Sequence, residues 1–314
     1  MKKNTLFYLE KAKGHYISGE EIARELGVSR MAVSKAVTEL KKSGALIDSS
    51  TKCGYRLTRS PDGLHEASIT AHMRSECEVY CYDRVGSTNE IAKHLISEGA
   101  AHATVIAALE QTSGRGRYGR SFYSPKDSGI YVSVIIKPDK LRDGIMYTVA
   151  AAVALRRVIA KYNDRASIKW VNDIYIDERK VCGILCEAVS DLESGRLSYV
   201  ICGIGVNLCA PSGDFPDEIK NKAGYISETP ISKGEFVAEL ADTLLEVLSY
   251  DTERTIVEYG EHMMLCGREI YYSRGDEKFS AHVEGIDGSA GLVVKRDDGV
   301  RETLRSGEVH LEKF

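Results

Sequence analysis

Residues 111–121, QTSGRGRYGRS, are the most informative stretch of this 314-residue chain. The stretch contains GxGxxG, but a dinucleotide-binding motif requires a helix at this point, whereas this chain runs through Ser124 and Pro125 into an apolar run at Ile130. It also contains GxxxxG, but a P-loop requires lysine where Arg120 stands, and again a following helix. We therefore predict a glycine-rich loop between two strands, and neither of these nucleotide-binding motifs.

Three arginines stand at every second or third position of this loop: Arg115, Arg117 and Arg120. Glycines allow backbone N–H groups to approach a ligand closely, and guanidinium groups hold phosphate or carboxylate oxygens through paired hydrogen bonds. The loop is therefore expected to bind an anionic ligand. A surface loop of solvated arginines is the alternative, but it would leave the alternating glycines without a structural purpose.

The sequence around the loop alternates between strand and helix patterns. From about residue 79, β-rich runs are interrupted by helical stretches at 88–96 and 147–162, which predicts an α+β body built on a large mixed sheet. Helical spacing returns over 236–248, and residues 267–314 hold only short strand patterns separated by glycines. We expect a small β-barrel in this last part of the chain.

A second polar segment, KWVND at 169–173, joins one strand pattern to the next. A hairpin at this point would present Asn172 and Asp173 at one end, and Lys180 near the start of the following strand. A lysine there can meet a phosphate as a point charge. The alternative is an ordinary turn with an exposed edge lysine, and the segment by itself does not decide between them.

Residues 1–60 have the pattern of a winged helix-turn-helix. Ser18 begins a capping box, SGEE, for a helix that ends at Gly27, and Ser29 can cap a second helix. Two short strand patterns follow and surround a turn, as in a β-wing. The outer face of the second helix and the wing turn provide the candidate DNA contacts: Arg30, Met31, Ser34, Lys35, Thr38 and Lys52. A winged helix that makes only protein contacts is the alternative.

Charge is unevenly distributed along the chain. Residues 1–60 hold 12 Lys+Arg and 6 Asp+Glu, which leaves 30 Lys+Arg and 40 Asp+Glu for the remainder. Because contacts to phosphates supply most of the non-specific affinity for DNA, a basic module in front of an acidic body favours nucleic-acid binding by that module. Charge alone is also compatible with a solvated surface.

The cysteines and the apolar runs exclude several other classes of protein. No apolar run approaches the ~18 residues of a membrane helix. Charged residues interrupt the first apolar stretch, so it cannot form the apolar core of a signal peptide. We therefore expect a cytoplasmic protein.

The cysteines do not indicate a metal site. The Cys77/Cys81 spacing lacks a neighbouring histidine pair, so no structural zinc is expected. Four of the eight cysteines lie in apolar runs and are predicted to be buried free thiols: Cys182, Cys186, Cys202 and Cys209.

Five segments, taken together and in this order, resemble those of biotin protein ligases. They are Ser87-Thr88-Asn89, residues 111–121, KWVND, the GIL segment after Lys180, and GIGVN at 203–207. With the basic module in front and the β-rich tail behind, the resemblance to bifunctional biotin ligases and biotin-operon repressors covers nearly the whole chain. The family commonly has proline where this sequence has Val171, a difference that affects the turn and no reactive group.

The resemblance implies an α+β multidomain fold. It comprises a winged helix-turn-helix DNA-binding domain over residues 1–62, a central mixed-sheet α/β catalytic domain of the biotin/lipoate ligase type over 67–264, and an SH3-like β-barrel over 267–314.

The implied activity is the ATP-dependent ligation of biotin to a specific lysine of a biotin carboxyl carrier protein through biotinyl-5′-AMP. Diphosphate and then AMP leave, and Mg²⁺ is the implied co-cation. The implied second activity is biotin-responsive repression at an operator DNA. The repressor is implied to be a homodimer whose formation the ligand promotes.

The resemblance also assigns roles to residues of this sequence. The implied catalytic residues are Arg115, Arg117 and Lys180. The implied biotin-binding residues are Ser87, Thr88, Asn89, Gln111, Gly114, Arg115, Gly116, Arg117, Lys180 and Gly183. The implied ATP-binding residues are Arg117, Arg120, Asn172, Asp173, Lys180, Asn207 and Tyr225.

Two alternatives remain open at this point. A relative of lipoate or octanoate ligases would share the catalytic architecture, but the winged helix and the terminal barrel argue against it. A transcription factor that senses a small ligand without turnover is the second alternative. A pure sensor has no need for the full set of Arg115, Arg117 and Lys180, which favours the enzyme.

Overall fold

The structure is a computed structural model that describes residues 1–60, 63–138, 143–190, 197–274, 277–305, 307 and 309–311. The predicted domain boundary at residue 62 lies outside these residues, as do the last three positions of the predicted barrel, 312–314.

The N-terminal module has the predicted two helices and wing, preceded by a helix that sequence reasoning did not assign. Ser18 and Ser29 cap their helices as expected, because their hydroxyls accept hydrogen bonds from the N–H groups of Glu21 and Ala32 at 2.9 and 3.2 Å. A small apolar core holds the three helices and the wing together. The elements are α1 (Lys2–Lys11), α2 (Gly19–Leu26), α3 (Arg30–Lys42), β1 (Leu46–Ser50) and β2 (Gly54–Arg59).

The central body is built on a seven-stranded sheet in the order β3-β4-β5-β9-β8-β7-β6. The β3–β4 pair is parallel and the other five pairs are antiparallel, which confirms the predicted mixed sheet. The strands are β3 (Val79–Tyr82), β4 (Val105–Ala108), β5 (Gly129–Ile136), β6 (Ala166–Lys169), β7 (Asp173–Ile176), β8 (Arg179–Ser190) and β9 (Leu197–Asn207).

Helices cover the two faces of this sheet unequally. The apolar helix α6 is buried against one face and packs on α7 and α8, in the main core of the molecule. Helix α5 covers only part of the opposite face, where it packs on Ile106, Ile135 and Ile201. The rest of that face is left for the cavity described below. The helices are α4 (Glu66–His72), α5 (Thr88–Ser97), α6 (Gly144–Ala160), α7 (Lys233–Ser249) and α8 (Thr252–Glu261).

The last part of the chain forms a five-stranded antiparallel sheet in the order β13-β12-β11-β10-β14. One face carries the apolar residues, such as Ile270, Val283 and Leu292. The Trp170 indole donates a hydrogen bond to the Ala290 carbonyl at 2.9 Å and so ties the body to this sheet. The strands are β10 (Glu269–Arg274), β11 (Glu277–Ile286), β12 (Leu292–Arg296), β13 (Arg301–Leu304) and β14 (Val309–Leu311).

All eight cysteines are free thiols. Of the four predicted to be buried, Cys182 and Cys202 are buried, whereas Cys186 and Cys209 are only partly buried. Burial raises the pKa of the Cys182 thiol well above its usual value, because a thiolate would lose its hydration there. Within the part of the chain that the structure describes, no helix has both the length and the apolar character needed to cross a bilayer.

Candidate active site

A cavity of about 1150 Å³ lies on the face of the central sheet that α5 leaves open. Five parts of the central body contribute to its wall: the loop after β4, the N-terminal turn of α5, the β6–β7 hairpin, the first half of β8 with the end of β9, and the segment 215–223. The C-terminal sheet closes one side with residues that include Glu269 and His282. This size suits a ligand larger than a single nucleotide base or sugar.

The glycine-rich loop lies between β4 and β5, as predicted, and carries its own hydrogen bonds. The N–H of Gly116 donates to the carbonyl of Arg120 at 2.7 Å, and the N–H of Phe122 donates to the carbonyl of Gly114 at 2.9 Å. A short 3₁₀ turn at Arg117–Gly119 forms its tip, where Tyr118 has φ 58°. These hydrogen bonds and the turn at its tip define the conformation of the loop.

The loop arginines have partners on neighbouring elements. An Nη1 of Arg115 lies 2.7 Å from a carboxylate oxygen of Glu90 on α5. Arg117 donates to the side-chain carbonyl of Asn172 at 3.2 Å, and its guanidinium stands 5.0 Å from the ring centre of Tyr118. Both guanidinium groups line the cavity, so they face a ligand there.

The hairpin of β6 and β7 and the start of β8 bring the second polar segment to the same cavity. The Nζ of Lys180 lies 2.7 Å from Oδ1 of Asp173 and 6.0 Å from the ring centre of Phe122. The Asn172 amide donates to the Ile184 carbonyl at 2.9 Å, which fixes its oxygen toward Arg117. Asn172, Asp173 and Lys180 therefore all line the cavity.

A buried polar network lies at the N-terminal turn of α5. The N–H of Thr88 donates to Oε1 of Gln111 at 2.9 Å. The Ser133 hydroxyl lies 2.8 Å from Oγ1 of Thr88 and 2.6 Å from Oδ1 of Asn89. The Asn89 amide in turn donates to Glu187 at 2.6 Å. Such satisfied networks hold side chains in one arrangement, which suits recognition of a polar ligand group.

The surroundings of Glu187 favour the charged form of its carboxyl. Burial by itself raises the pKa of its carboxyl, but hydrogen bonds from Lys93 and Asn89 and the charge of Lys93 lower it, and the net direction is below the usual value. The Nζ of Lys93 lies 2.8 Å from Glu187 and 3.1 Å from Glu90. One lysine therefore links the buried network to the carboxylate that holds Arg115.

Glycines in β8 and β9 create the space for the cavity. A Cβ placed on Gly203 would lie 2.3 Å from Oδ1 of Asn89, and one on Gly205 would lie 2.4 Å from the Phe122 ring. The Phe122 ring also lies 3.0 Å from the equivalent position on Gly183. Any larger residue at Gly203 or Gly205 would displace a side chain that lines the site.

The structure brings together most of the residues predicted for the site. Neither Gly114 nor Tyr225 is among the described residues of the cavity wall. Gly114 instead allows the close approach of Ser124, whose Oγ would lie 2.5 Å from a Cβ there, and the Tyr225 hydroxyl donates to Glu228. The predicted residues that line the cavity are Ser87, Thr88, Asn89, Gln111, Arg115, Gly116, Arg117, Arg120, Asn172, Asp173, Lys180, Gly183 and Asn207.

The predicted DNA contacts lie together on the outside of the N-terminal module. Met31 is 83% exposed on the outer face of α3, opposite the buried Val33 and Val37. Lys52 is exposed in the turn between the two wing strands. The other four are also exposed on α3: Arg30, Ser34, Lys35 and Thr38.

Among the residues of the site and its network that sequence reasoning missed, three are informative: Ser133, Phe122 and Glu187. Ser133 had a visible signal, because it is the one polar residue in the strand GIYVSVII. Phe122 directly follows the glycine-rich loop and could have been included with it. Glu187 had no such signal. Its carboxylate meets Asn89 and Lys93 only because β8 lies next to α5 in the folded protein.

The chain is similar to known proteins over almost its whole length. Residues 81–207 match the biotin/lipoate A/B protein ligase family, and residues 2–56 match a helix-turn-helix (HTH) domain family. The bifunctional ligase/repressor BirA of Bacillus spizizenii is 30% identical over 323 aligned positions, which cover 99% of this chain and 98% of that protein. BirA of Escherichia coli is 25% identical, with 96% of this chain and 94% of that protein covered.

A similar solved structure is that of the biotin protein ligase from Aquifex aeolicus in complex with biotin and ATP. It superposes with a TM-score of 0.64 and 23% identity, and covers 76% of this chain and 99% of that chain. Because the sequence identity is only 23%, we use this match as evidence for the fold of the central body alone.

Gly205→Ala is expected to lower the free energy of unfolding by about 1–3 kcal/mol, because the added methyl overlaps the Phe122 ring in a packed site. Gly213→Ala is the matched control, since a Cβ there meets no atom within 4 Å, and its effect should stay within about 0.5 kcal/mol. Chemical denaturation of both variants measures this difference. Equal stability of the two variants would contradict the close contact between β9 and Phe122.

Proposed function

Since the chain belongs to the family of bifunctional biotin ligases and repressors, we propose that the cavity residues described above carry out its ligase reaction. The protein is an ATP-dependent biotin protein ligase with a DNA-binding repressor module. The observation that carries the assignment of residues is the convergence of Arg115, Arg117 and Lys180 on one cavity. The division into residues 1–62, 67–264 and 267–314 is part of the same proposal, and the three separate sheets support it.

The first step joins two anions. A carboxylate oxygen of biotin attacks the α-phosphorus of ATP, the bond to the β-phosphate oxygen breaks, and diphosphate leaves with the electron pair. Arg115 and Arg117 hold the carboxylate and phosphate oxygens, and Lys180 stabilises the charge that develops at the α-phosphate. Each of these three side chains has a partner on a neighbouring element, which helps to hold the cations near the reacting groups.

Mg²⁺ fits this site as an ion shared with ATP. Among the described residues, no group of three His, Cys, Asp or Glu side chains is placed to hold a metal. Mg²⁺ is commonly held by one or two carboxylates together with substrate phosphates. Asp173 supplies one buried carboxylate oxygen beside Lys180, and Asn172 adds an amide oxygen. The ion would neutralise charge on the polyphosphate.

The remaining polar residues divide between the two substrates. The buried network at the start of α5 suits the ureido ring of biotin, since Ser87, Thr88, Asn89 and Gln111 offer both donors and acceptors. Gly116 and Gly183 allow close backbone approach, whereas Gly114 acts indirectly by making room for Ser124. Arg120 and Asn207 are assigned to ATP. Tyr225 is assigned to the adenine, a role that requires the segment 215–225 to close further over the base.

In the second step, a lysine of the biotin carboxyl carrier protein attacks the mixed anhydride. Its amine nitrogen forms an amide with the biotin carbonyl carbon, and AMP leaves as a phosphate anion. The same arginines stabilise the departing AMP. A cytoplasmic location belongs to this proposal, because both ATP and the carrier protein must be available to the enzyme.

The experiment that tests the ligase assignment is exchange of labelled pyrophosphate into ATP. We expect exchange that depends on biotin, and loss of at least about a hundredfold in Lys180→Ala, because removing a preorganised charge at the reacting phosphate costs this much. Lipoate in place of biotin should give no exchange. Exchange that needs no biotin, or none at all, contradicts the assignment, and binding of biotin without exchange would favour the ligand-sensing transcription factor.

Arg117→Ala is expected to keep the fold but to release biotinyl-5′-AMP roughly ten- to a hundredfold faster, because a charge-assisted hydrogen bond to the intermediate is lost. The released anhydride should biotinylate lysines of an added bystander protein, detected with labelled streptavidin. Arg84→Ala is the control, since this exposed arginine pairs with Glu110 outside the cavity. Labelling of the carrier protein alone, with unchanged release, is the outcome that rules out the role of Arg117.

The repressor activity is proposed to depend on a homodimer that the adenylate promotes. A single module with 12 Lys+Arg against 6 Asp+Glu binds DNA weakly and with steep salt dependence. A two-fold dimer presents two copies of α3 to a palindrome at high effective concentration. Ligand-dependent ordering of the glycine-rich loop and of residues 211–225 would couple adenylate binding to assembly by linkage. We expect the dimer to form through the sheet edges of the central domain, and the carrier protein to compete for this surface, because it must reach the activated carboxyl there.

Sedimentation and operator gel shifts, with and without biotin plus ATP, test this coupling. We expect a higher mass and about a hundredfold tighter operator binding with both ligands, because the second module then binds intramolecularly. Lys35→Ala should weaken operator binding while pyrophosphate exchange stays unchanged, since Lys35 is exposed on α3. Equal mass and equal DNA affinity in both states would reject the coupling and leave the ligase assignment intact.

A further inference from the structure

Residues 220–224 of the chain between β9 and α7 are hydrogen-bonded to the start of β8. The N–H of Lys180 donates to the Lys222 carbonyl at 2.7 Å, and the N–H of Gly224 donates to the Lys180 carbonyl at 2.8 Å. The Asn207 amide donates to the Gly224 carbonyl at 2.9 Å. We call residues 220–224 the clasp segment. Both backbone groups of Lys180 are therefore engaged by this segment.

The clasp segment also forms part of the cavity wall. Its residues Lys222 and Ala223 line the cavity, together with Phe215 and Ile219 just before it. A ligand that seats against this wall therefore presses on residues bonded to the backbone of Lys180. The position of the wall and the position of the Lys180 main chain are not independent.

Arg179 holds the clasp segment from the outside. Its Nη1 donates to the Lys220 carbonyl at 2.8 Å and to the Ala223 carbonyl at 3.3 Å. The side-chain stem lies against Gly224, where an added Cβ would be 2.7 Å from the Cβ of Arg179. Arg179 is exposed and is not among the described residues of the cavity wall. Its contacts are with the protein chain and not with a ligand.

The side chain of Lys180 is held at its ammonium end by Asp173, whose Oδ1 lies 2.7 Å from the Nζ of Lys180. The main chain and this carboxylate together determine where the charge stands. Because an error of about 1 Å in the position of a catalytic group can cost a hundredfold in rate, the anchoring of the Lys180 main chain affects chemistry directly.

We propose that Arg179 is a positioning residue: by holding residues 220–224 against the start of β8, it couples closure of the cavity wall over the nucleotide to placement of the Lys180 ammonium. This inference rests on the proposed role of Lys180 in adenylate formation. The network at Thr88 and Gln111 has its own hydrogen bonds, so biotin binding does not depend on Arg179.

The test compares Arg179→Ala and Arg179→Lys in pyrophosphate exchange at varied ATP and biotin. For Arg179→Ala we expect the KM for ATP to rise and kcat to fall, each about tenfold, because two hydrogen bonds from a charged donor are lost. The KM for biotin should change less than about twofold. Arg179→Lys should recover at least half of the loss in kcat, since an ammonium can reach one of the two carbonyls.

Arg165→Ala is the matched control, because Arg165 is an exposed arginine that pairs with Asp177 at 2.7 Å on the neighbouring hairpin. Trypsin gives a second readout that does not require activity. Cleavage after Lys220 and Lys222, followed by mass spectrometry, should be faster in Arg179→Ala than in the wild type or in Arg165→Ala.

The inference is overturned if Arg179→Ala behaves like Arg165→Ala, if the KM for biotin rises in parallel with that for ATP, or if lysine restores nothing. Unchanged tryptic cleavage of residues 220–224 overturns it as well. These results leave biotin-dependent exchange by the wild type, and hence the ligase assignment, in place. Absence of exchange in the wild type contradicts the proposed function instead, and the proteolysis result then still decides whether Arg179 holds the segment.

Discussion

Repulsion between like charges is the constraint on which this site depends. Several cations must stand around one cavity to bring two anions together, and without partners they would repel one another. The fold gives each cation a neutral or acidic neighbour: Arg117 donates to Asn172, Lys180 pairs with Asp173, and Arg115 pairs with a glutamate of α5. These neighbours come from different elements, so the site exists only once α5, β7 and β8 are assembled.

One face of the central sheet packs in the main core and the other faces the cavity. Successive residues of β8 and β9 point alternately to these two faces. Residues such as Cys202 and Ile204 pack against the helices of the main core. Gly203 and Gly205 stand on the opposite face, where a side chain would overlap Asn89 or the Phe122 ring. The same two strands thus contribute apolar side chains to the core and open space to the cavity.

The DNA-binding module is joined to the body through α4, which packs between α1 and α7. The contact with α7 is close, because a Cβ on Gly234 would lie 2.2 Å from the Oγ of Ser68. The buried carboxylate of Asp242 on α7 accepts hydrogen bonds from the N–H groups of Arg74 and Ser75, just beyond α4. Since α7 follows the segment 215–223 of the cavity wall, a change in that segment has a short physical path to the module.

The winged helix-turn-helix, the mixed sheet, the β-rich tail and thirteen residues of the cavity wall could be predicted from the sequence alone. These follow from local signals: the caps at Ser18 and Ser29 and the glycines and arginines of 111–121 are short-range patterns whose chemistry does not depend on distant neighbours. Only the tertiary structure decided which distant groups meet. Two examples are the hydrogen bond between Glu187 and Asn89 and the hydrogen bonds from Arg179 to residues 220–224. Both depend on strand register and on the path of a loop. Packing sets these features, and no periodic sequence pattern indicates them.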